Sequence, residues 1–195
     1  MAPGDARERL LQAAIDYVVG HGLTDLSLRR LAAELGTSHR MLIHHFGSRE
    51  GLWVAIVQEV ERRQLATIGD LVPDPTVPFA DAMRAWWQHI SDPSLWPNER
   101  LFFELYGQAL QGRPGAREML DGIVDSWLGP ITAMGEAMGL PHDTAEASAR
   151  LGIAVTRGML LDLLATGDRA GVDAALEHWI ALNEGFLAQH LASAS

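Results

Sequence analysis

Side chains able to bind an anion or the edge of a nucleobase are concentrated between residues 29 and 49. They are Arg29, Arg30, His39, Arg40, His44 and Arg49. An arginine guanidinium can donate two parallel hydrogen bonds to a guanine edge or to a phosphate, and an imidazole can contact a phosphate. By this chemistry Arg40 is the best candidate for reading a base, and His44 is a candidate for a phosphate contact.

Two short helices and the start of a third are predicted to position these side chains. Ser27 is a suitable N-cap for the first helix, and Gly36 follows that helix where its end favours a positive φ. Thr37 or Ser38 can cap the second helix, and Ser48 can cap the third. The inward face of the first helix recurs at helical spacing and consists of Leu28, Leu31, Ala32 and Leu35.

The spacing across this stretch is typical of a DNA-binding helix-turn-helix. Ala32 precedes Gly36 by one helical turn, where two crossing helices need a small side chain. Leu42 then returns an apolar side chain from the second helix to the first. The outward residues of the second helix are Ser38, His39, Arg40, Met41, Ile43 and His44.

The stretch resembles the N-terminal domain of the TetR (TetR/AcrR) family of bacterial transcriptional regulators. The matching residues are Gly20, Gly22, Leu31, Ala32, Leu35, Gly36, Ser38, Leu42, His45, Phe46, Ser48, Arg49, Glu50 and Leu52. The resemblance implies an all-α chain of about nine helices. A three-helix helix-turn-helix DNA-binding domain is expected at residues 1–50, and a helical ligand-binding and dimerisation domain at residues 51–195.

The resemblance also implies which residues meet DNA. Arg29 corresponds to a position that reaches a base edge or a phosphate, and Arg30 is either a phosphate contact or a surface charge. Arg49 is expected to hold a phosphate together with the start of its helix. Ile43 stands where the family commonly has tyrosine and offers only an apolar contact, for example to a thymine methyl. The full predicted set is Ser27, Arg29, Arg30, Ser38, His39, Arg40, Met41, Ile43, His44 and Arg49.

Neither a metal, a cofactor nor an enzymatic activity is predicted. His39, His44 and His45 do not converge on one helix face, so they do not form a metal site, and His45 is expected to serve in capping or packing. The sequence has no cysteine and no catalytic motif of a hydrolase, metalloprotease or phosphate-binding loop.

The charge is unevenly distributed. Residues 1–63 hold eight arginines and eight acidic residues, so the whole net charge of −10 belongs to residues 64–195. That acidic part is expected to lie away from DNA phosphates. The charged beginning of the chain and an apolar run interrupted by Arg157 and Asp162 predict a cytoplasmic protein with no membrane partner.

Beyond residue 63 the hydrophobic pattern predicts helices over residues 79–91, 95–111, 117–138, 143–166 and 172–191, with Asp143 as an N-cap and Gly171 as a break. Consecutive aromatic residues there cannot all face one core, which favours a pocket for an apolar effector. The predicted pocket residues are Met83, Trp86, Trp87, Trp96, Phe102, Phe103, Tyr106, Trp127 and Met159. For any one of them, a place in the core remains the alternative.

The last two helices, about residues 143–192, are predicted to form a homodimer interface. The final helix has two apolar stripes, and only one of them is needed for the chain's own core. The predicted interface residues are Ser148, Gly152, Trp179, Leu182 and Phe186. The alternative is that these helices are simply buried within one large domain.

These features predict a ligand-responsive transcriptional regulator. A homodimer, acting as a repressor, would bind double-stranded DNA at a palindromic operator and be released by a small, largely apolar effector. Ile43 and the acidic balance leave one alternative open, a helical small-molecule-binding protein of the same fold without operator binding. An enzyme built in a helical bundle has no motif to support it.

Overall fold

The computed structural model describes residues 3–21, 27–71, 77–112 and 117–193. In these ranges every regular element is helical, which confirms the all-α prediction. The α-helices are α1 (Pro3–His21), α2 (Leu28–Glu34), α3 (His39–Phe46), α4 (Arg49–Leu71), α5 (Phe79–Ile90), α6 (Trp96–Leu110), α7 (Asp125–Ala137), α8 (His142–Thr166) and α9 (Arg169–Ser193). None of these helices combines the length and hydrophobicity needed to cross a membrane.

The chain divides into two compact units. One consists of Met1–Arg63 and Pro93–Asp121, and the other of Gln64–Asp92 and Gly122–Ser195. Helix α4 therefore contributes residues to both units. The domain boundary predicted at residue 50 stays a prediction.

The first unit is held by the apolar faces of α1 to α4 and of α6. Helix α1 packs against α6, and α2 packs against α3. The largest fully buried side chains lie at helical spacing along these elements, and they are Val18, Leu31, Leu42, Leu52, Ile56, Leu101 and Leu105. Packing on this core stabilises α2 and α3, which are too short to be stable helices on their own.

The second unit is built from α5, α7, α8 and α9. Helix α8 packs against both α7 and α9, and α5 packs against α9. Gly135 of α7 permits a close approach, since an added Cβ would lie only 3.0 Å from the Cβ of Ala145. The most deeply buried apolar side chains of this core are Trp87, Ile90, Ala145, Ala149, Leu163, Val172 and Ile180.

The single helix predicted over residues 117–138 is wrong. A short 3-10 turn covers Arg117–Leu120, and α7 begins only at Asp125. Between them Gly122 adopts a φ of +76°, a left-handed conformation that interrupts a helix and costs glycine little.

Two predicted helix ends also need correction. Pro141 is the N-cap of α8, and Asp143 lies within its first turn. Gly171 does not break the chain but lies in the first turn of α9, where its N–H donates to the Oδ1 of Asp168 at 2.9 Å. Gly20 lies within α1, and Gly22 falls outside the described residues.

A polar network joins α5 to α9 within the second unit. The indole N–H of Trp87 donates to Asp173 at 2.7 Å, and the guanidinium of Arg169 donates to the same carboxylate at 3.0 Å. Arg169 also donates to the carbonyl of Ser91 at 3.1 Å. Asp173 thus accepts a hydrogen bond from the indole N–H of Trp87, a side chain that is only 2% exposed.

Replacing Asp173 with alanine is expected to lower the free energy of unfolding by about 1–3 kcal/mol, because the buried Trp87 N–H loses its acceptor. Urea unfolding measures the change. Asp81→Ala is the control, since Asp81 is an exposed partner of Arg84 and an exposed ion pair contributes about 1 kcal/mol or less. Equal losses in the two variants would contradict the role assigned to Asp173.

Candidate nucleic-acid interface

Helix α2 and the turn after it are fixed by local hydrogen bonds. The Oγ of Ser27 accepts from the N–H of Arg30 at 3.2 Å, which confirms the predicted N-cap. Gly36 has a φ of +62°, and the N–H of Thr37 donates to the carbonyl of Ala32 at 2.9 Å. These bonds satisfy backbone groups at both ends of the helix and set the direction in which the chain leaves it.

Helix α3 is capped in the same way. Ser38, not Thr37, is its N-cap, and the Oγ of Ser38 accepts from the N–H of Met41 at 3.2 Å. Leu42 and Phe46 are its buried residues, and Gly47 ends it with a φ of +76°. The sequence signals for this helix therefore match its observed bounds.

The outward face of α3 carries an arginine and a histidine. Arg40 and His44 are one turn apart and lie on the opposite side of the helix from the buried Leu42. Within the part of the chain that is described, the Arg40 guanidinium has no ion-pair partner, so its five donors are available to a ligand. Of the predicted DNA contacts, Ile43 is half-buried, and the exposed ones are Ser27, Arg29, Arg30, Ser38, His39, Arg40, Met41, His44 and Arg49.

The junction of α3 and α4 is unusually close. The Oγ of Ser48 accepts from the N–H of Gly51 at 2.9 Å, as expected for a cap. A Cβ added at Gly51 would fall on the carbonyl oxygen of Phe46, far inside van der Waals contact. The role of Gly51 was not predicted from the sequence; a glycine in the first turn of a predicted helix is the signal that points to it.

His45 faces the protein more than the solvent. Its Nε2 is buried without a hydrogen-bond partner, and its ring lies edge-on to Phe46 with 6.3 Å between centroids. This arrangement favours packing over capping. In the described residues no cluster of three or more histidine, aspartate and glutamate side chains has the geometry for a metal ion.

Further along α4, the charges are paired with one another. Hydrogen bonds and charge from Arg62 and Arg63 lower the pKa of Glu59 to about 2, and they outweigh partial burial, which acts to raise it. Arg63 also donates to Gln12 of α1. Arg63 therefore joins α4 to α1 within the first unit, whereas Arg40 faces outward.

The predicted pocket residues are divided between the two units. Trp96, Phe102, Phe103 and Tyr106 lie on α6 in the first unit, where Phe102 stacks on Tyr106 with 5.7 Å between ring centroids. The second unit contains the half-buried Met83 and Met159 and the buried Trp86, Trp87 and Trp127. Trp86 lies 5.8 Å from Trp127, whose indole N–H is buried without an acceptor.

The predicted interface residues differ in exposure. Gly152 faces Trp179 of its own chain, since a Cβ added at Gly152 would lie 3.7 Å from the nearest atom of the Trp179 ring. Ser148, Trp179 and Phe186 are half-buried. Leu182, by contrast, is 60% exposed. Two further exposed leucines on α8, Leu151 and Leu161, were not predicted as interface residues from the sequence.

Comparison with known proteins agrees with the geometry of the first unit. Residues 10–56, which span most of α1, all of α2 and α3 and the first turns of α4, match the family model described as "Bacterial regulatory proteins, tetR family". The chain is 31% identical over 68 residues to the HTH-type transcriptional repressor AcnR of Corynebacterium efficiens. That alignment covers 35% of this chain, and the chain spans about a third of the length of the curated relatives it matches.

Solved structures resemble the chain over nearly its whole length. A transcriptional regulator from Rhodococcus sp. Rha1 aligns with a TM-score of 0.71 at 22% identity, covering 94% of this chain and 96% of that one. The multidrug binding protein EbrR, solved with imidazole, aligns with a TM-score of 0.64 at 26% identity, covering 90% and 88%. The chain therefore resembles the tetR family of bacterial regulatory proteins: residues 10–56 match its family model, and the chain shares the fold of these solved structures over nearly its whole length.

Proposed function

We propose that the chain is a ligand-responsive transcriptional regulator, acting as a repressor at a palindromic DNA operator. The observation that carries this proposal is the capped α2–turn–α3 unit, which buries Leu42 and presents Arg40 and His44 outward. Such a helix fits the major groove, where arginine reads guanine bidentately. The ten predicted DNA contacts, from Ser27 to Arg49, and the DNA-binding domain at residues 1–50 belong to this proposal.

We further propose that residues 51–195 bind the effector and dimerise, with α8 and α9 as the interface. Each helix has an exposed stripe at alternating three- and four-residue spacing, which suits close packing of one helix on another. On α8 the stripe is Ala147, Leu151, Ala154, Gly158, Leu161 and Ala165, and on α9 it is Ala175, His178, Leu182, Gly185 and Gln189. A second copy of the chain is the occupant that a palindromic operator requires.

Replacing Leu182 with glutamate is expected to shift the protein from twice the 21.3 kDa chain mass toward a single chain, because a buried, unpaired carboxylate opposes association. Analytical ultracentrifugation measures the mass. Leu110→Glu is the matched control, since Leu110 is also exposed, at 66%, but lies on α6. A dimer that survives in the Leu182 variant would remove α9 from the interface.

The effector is proposed to be a small, largely apolar molecule, bound through some of the nine aromatic and methionine side chains predicted for the pocket. The neighbour EbrR has been solved with imidazole and with proflavin, which supports a small-molecule ligand for this fold. Release of DNA requires that the effector bind the DNA-incompetent state more tightly.

The alternative is a helical small-molecule-binding protein of the same fold without operator binding. The half-buried Ile43 favours it, because this side chain offers a phosphate no hydrogen bond. Enrichment of bound duplexes from a randomised library separates the two functions. The regulator is expected to enrich an inverted repeat with half-sites a multiple of about 10 bp apart. Absence of enrichment at low salt would favour the alternative.

A further inference from the structure

Arg7 occupies the solvent end of the inward stripe of α1. Leu11, Ala14 and Val18 are buried and recur on one side of the helix, and Arg7 lies on the same side, one turn before Leu11. Its neighbour Glu8 is exposed and turned about 100° around the helix axis. The Arg7 side chain therefore extends toward the helices against which this stripe packs.

The guanidinium of Arg7 lies over the ring of Phe46, with 5.1 Å from the guanidinium carbon to the ring centroid. Phe46 is the last residue of α3 and is buried, whereas Arg7 remains exposed. A guanidinium that lies over an aromatic ring is attracted to the face of the ring. Its N–H groups can still donate hydrogen bonds to another group. Within the described residues these N–H groups have no acceptor, so they are available to an external anion.

The end of α3 is also where DNA phosphates are expected. Helix α3 ends at Phe46 and α4 begins at Arg49, so the end of α3 lies close to the residue that is predicted to hold a phosphate with the start of its helix. Helix α3 carries no acidic residue, and the rings that precede Phe46 on it are those of His44 and His45. Nearby on α4, Glu50 is half-buried and Arg49 is exposed.

We propose that Arg7 is a further DNA-contacting residue that donates hydrogen bonds to a backbone phosphate beside each half-site. The inference rests on the proposed function, since it needs α3 in the major groove. Because a phosphate is the same at every base pair, Arg7 positions the protein on DNA and adds no sequence preference. Its contact is distinct from those of Arg40 and Arg49, since it comes from α1.

The test measures operator affinity by fluorescence anisotropy as a function of salt, using the duplex that the wild-type protein enriches. Arg7→Met keeps an apolar cover on Phe46 but removes the charge, and Arg7→Lys keeps the charge. The slope of log K against log salt is expected to become shallower by about 0.9 for each bound Arg7→Met protomer and to stay unchanged in Arg7→Lys. The fold-reduction in operator affinity caused by Arg7→Met should therefore be three- to fourfold larger, per protomer, at about 50 mM salt than at about 200 mM salt.

Arg100→Met is the matched control, because Arg100 lies over the ring of Trp96 at 5.5 Å but belongs to α6. Thermal unfolding of all three variants separates loss of structure from loss of a phosphate contact. A slope that is equal in Arg7→Met, Arg100→Met and wild type would overturn the role of Arg7 while leaving the proposed function intact. Failure of the wild-type protein to bind any duplex would overturn both.

Discussion

Replacing Arg40 with alanine is expected to lower affinity by about 5- to 150-fold for each half-site, which corresponds to about 1–3 kcal/mol per contact. Arg40 is exposed, lies opposite the buried side of α3, and has no ion-pair partner in the described residues. Its loss removes a bidentate contact with one base pair of each half-site. Discrimination at that base pair should therefore be relaxed, whereas discrimination at the other positions should be retained.

The measurement for Arg40 is a competition between the operator and duplexes that differ at single base pairs. Arg100→Ala provides the control, because it removes an exposed arginine from α6 and should leave both affinity and base preference unchanged. If the Arg40 variant kept the wild-type preference at every base pair, α3 would be wrongly assigned as the recognition helix.

Replacing Gly51 with alanine is expected to destabilise the first unit by about 1–3 kcal/mol or more and to weaken DNA binding with it. The added methyl group meets the carbonyl oxygen of Phe46, a backbone atom that cannot rotate away as a side chain can. Relief requires α3 and α4 to separate. Such a movement would shift the recognition helix relative to the helices that support it.

Gly107→Ala is the matched control for Gly51. Gly107 also lies inside a helix of the first unit, α6, but an added Cβ meets nothing within 4 Å. Alanine there should stabilise the protein by up to about 1 kcal/mol, because it restricts the unfolded chain and favours the helix. Denaturant unfolding of the two variants should thus give changes of opposite sign. If the Gly51 variant were as stable as the wild type, the junction of α3 and α4 would accommodate a Cβ, and the role assigned to Gly51 would be wrong.

The helix-turn-helix could be predicted in detail because its signals are local. Ser27, Gly36, Ser38 and Ser48 act within three or four residues of their own positions, so residue type and spacing suffice to identify them. Likewise the buried Leu31 and Leu42 follow from helical periodicity. The all-α class follows from the same periodicity along the rest of the chain.

Features that depend on distant residues could not be predicted in the same way. The break at Gly122 depends on a φ of +76°, and many helices contain a glycine without breaking. The contact of Arg7 with Phe46 and that of Trp87 with Asp173 join residues far apart in sequence. Nor could spacing alone distinguish Leu182, which is exposed, from Trp179, which packs against its own chain's Gly152.

The most direct test of sequence-specific DNA binding compares the enriched duplex with a scrambled duplex of the same composition, each titrated with the wild-type protein at two salt concentrations. The regulator is expected to bind the enriched duplex at least about 10³-fold more tightly, with both affinities falling as salt rises. Equal affinity for the two duplexes, or an affinity that salt does not change, would contradict the assignment of α3 as a helix that reads DNA.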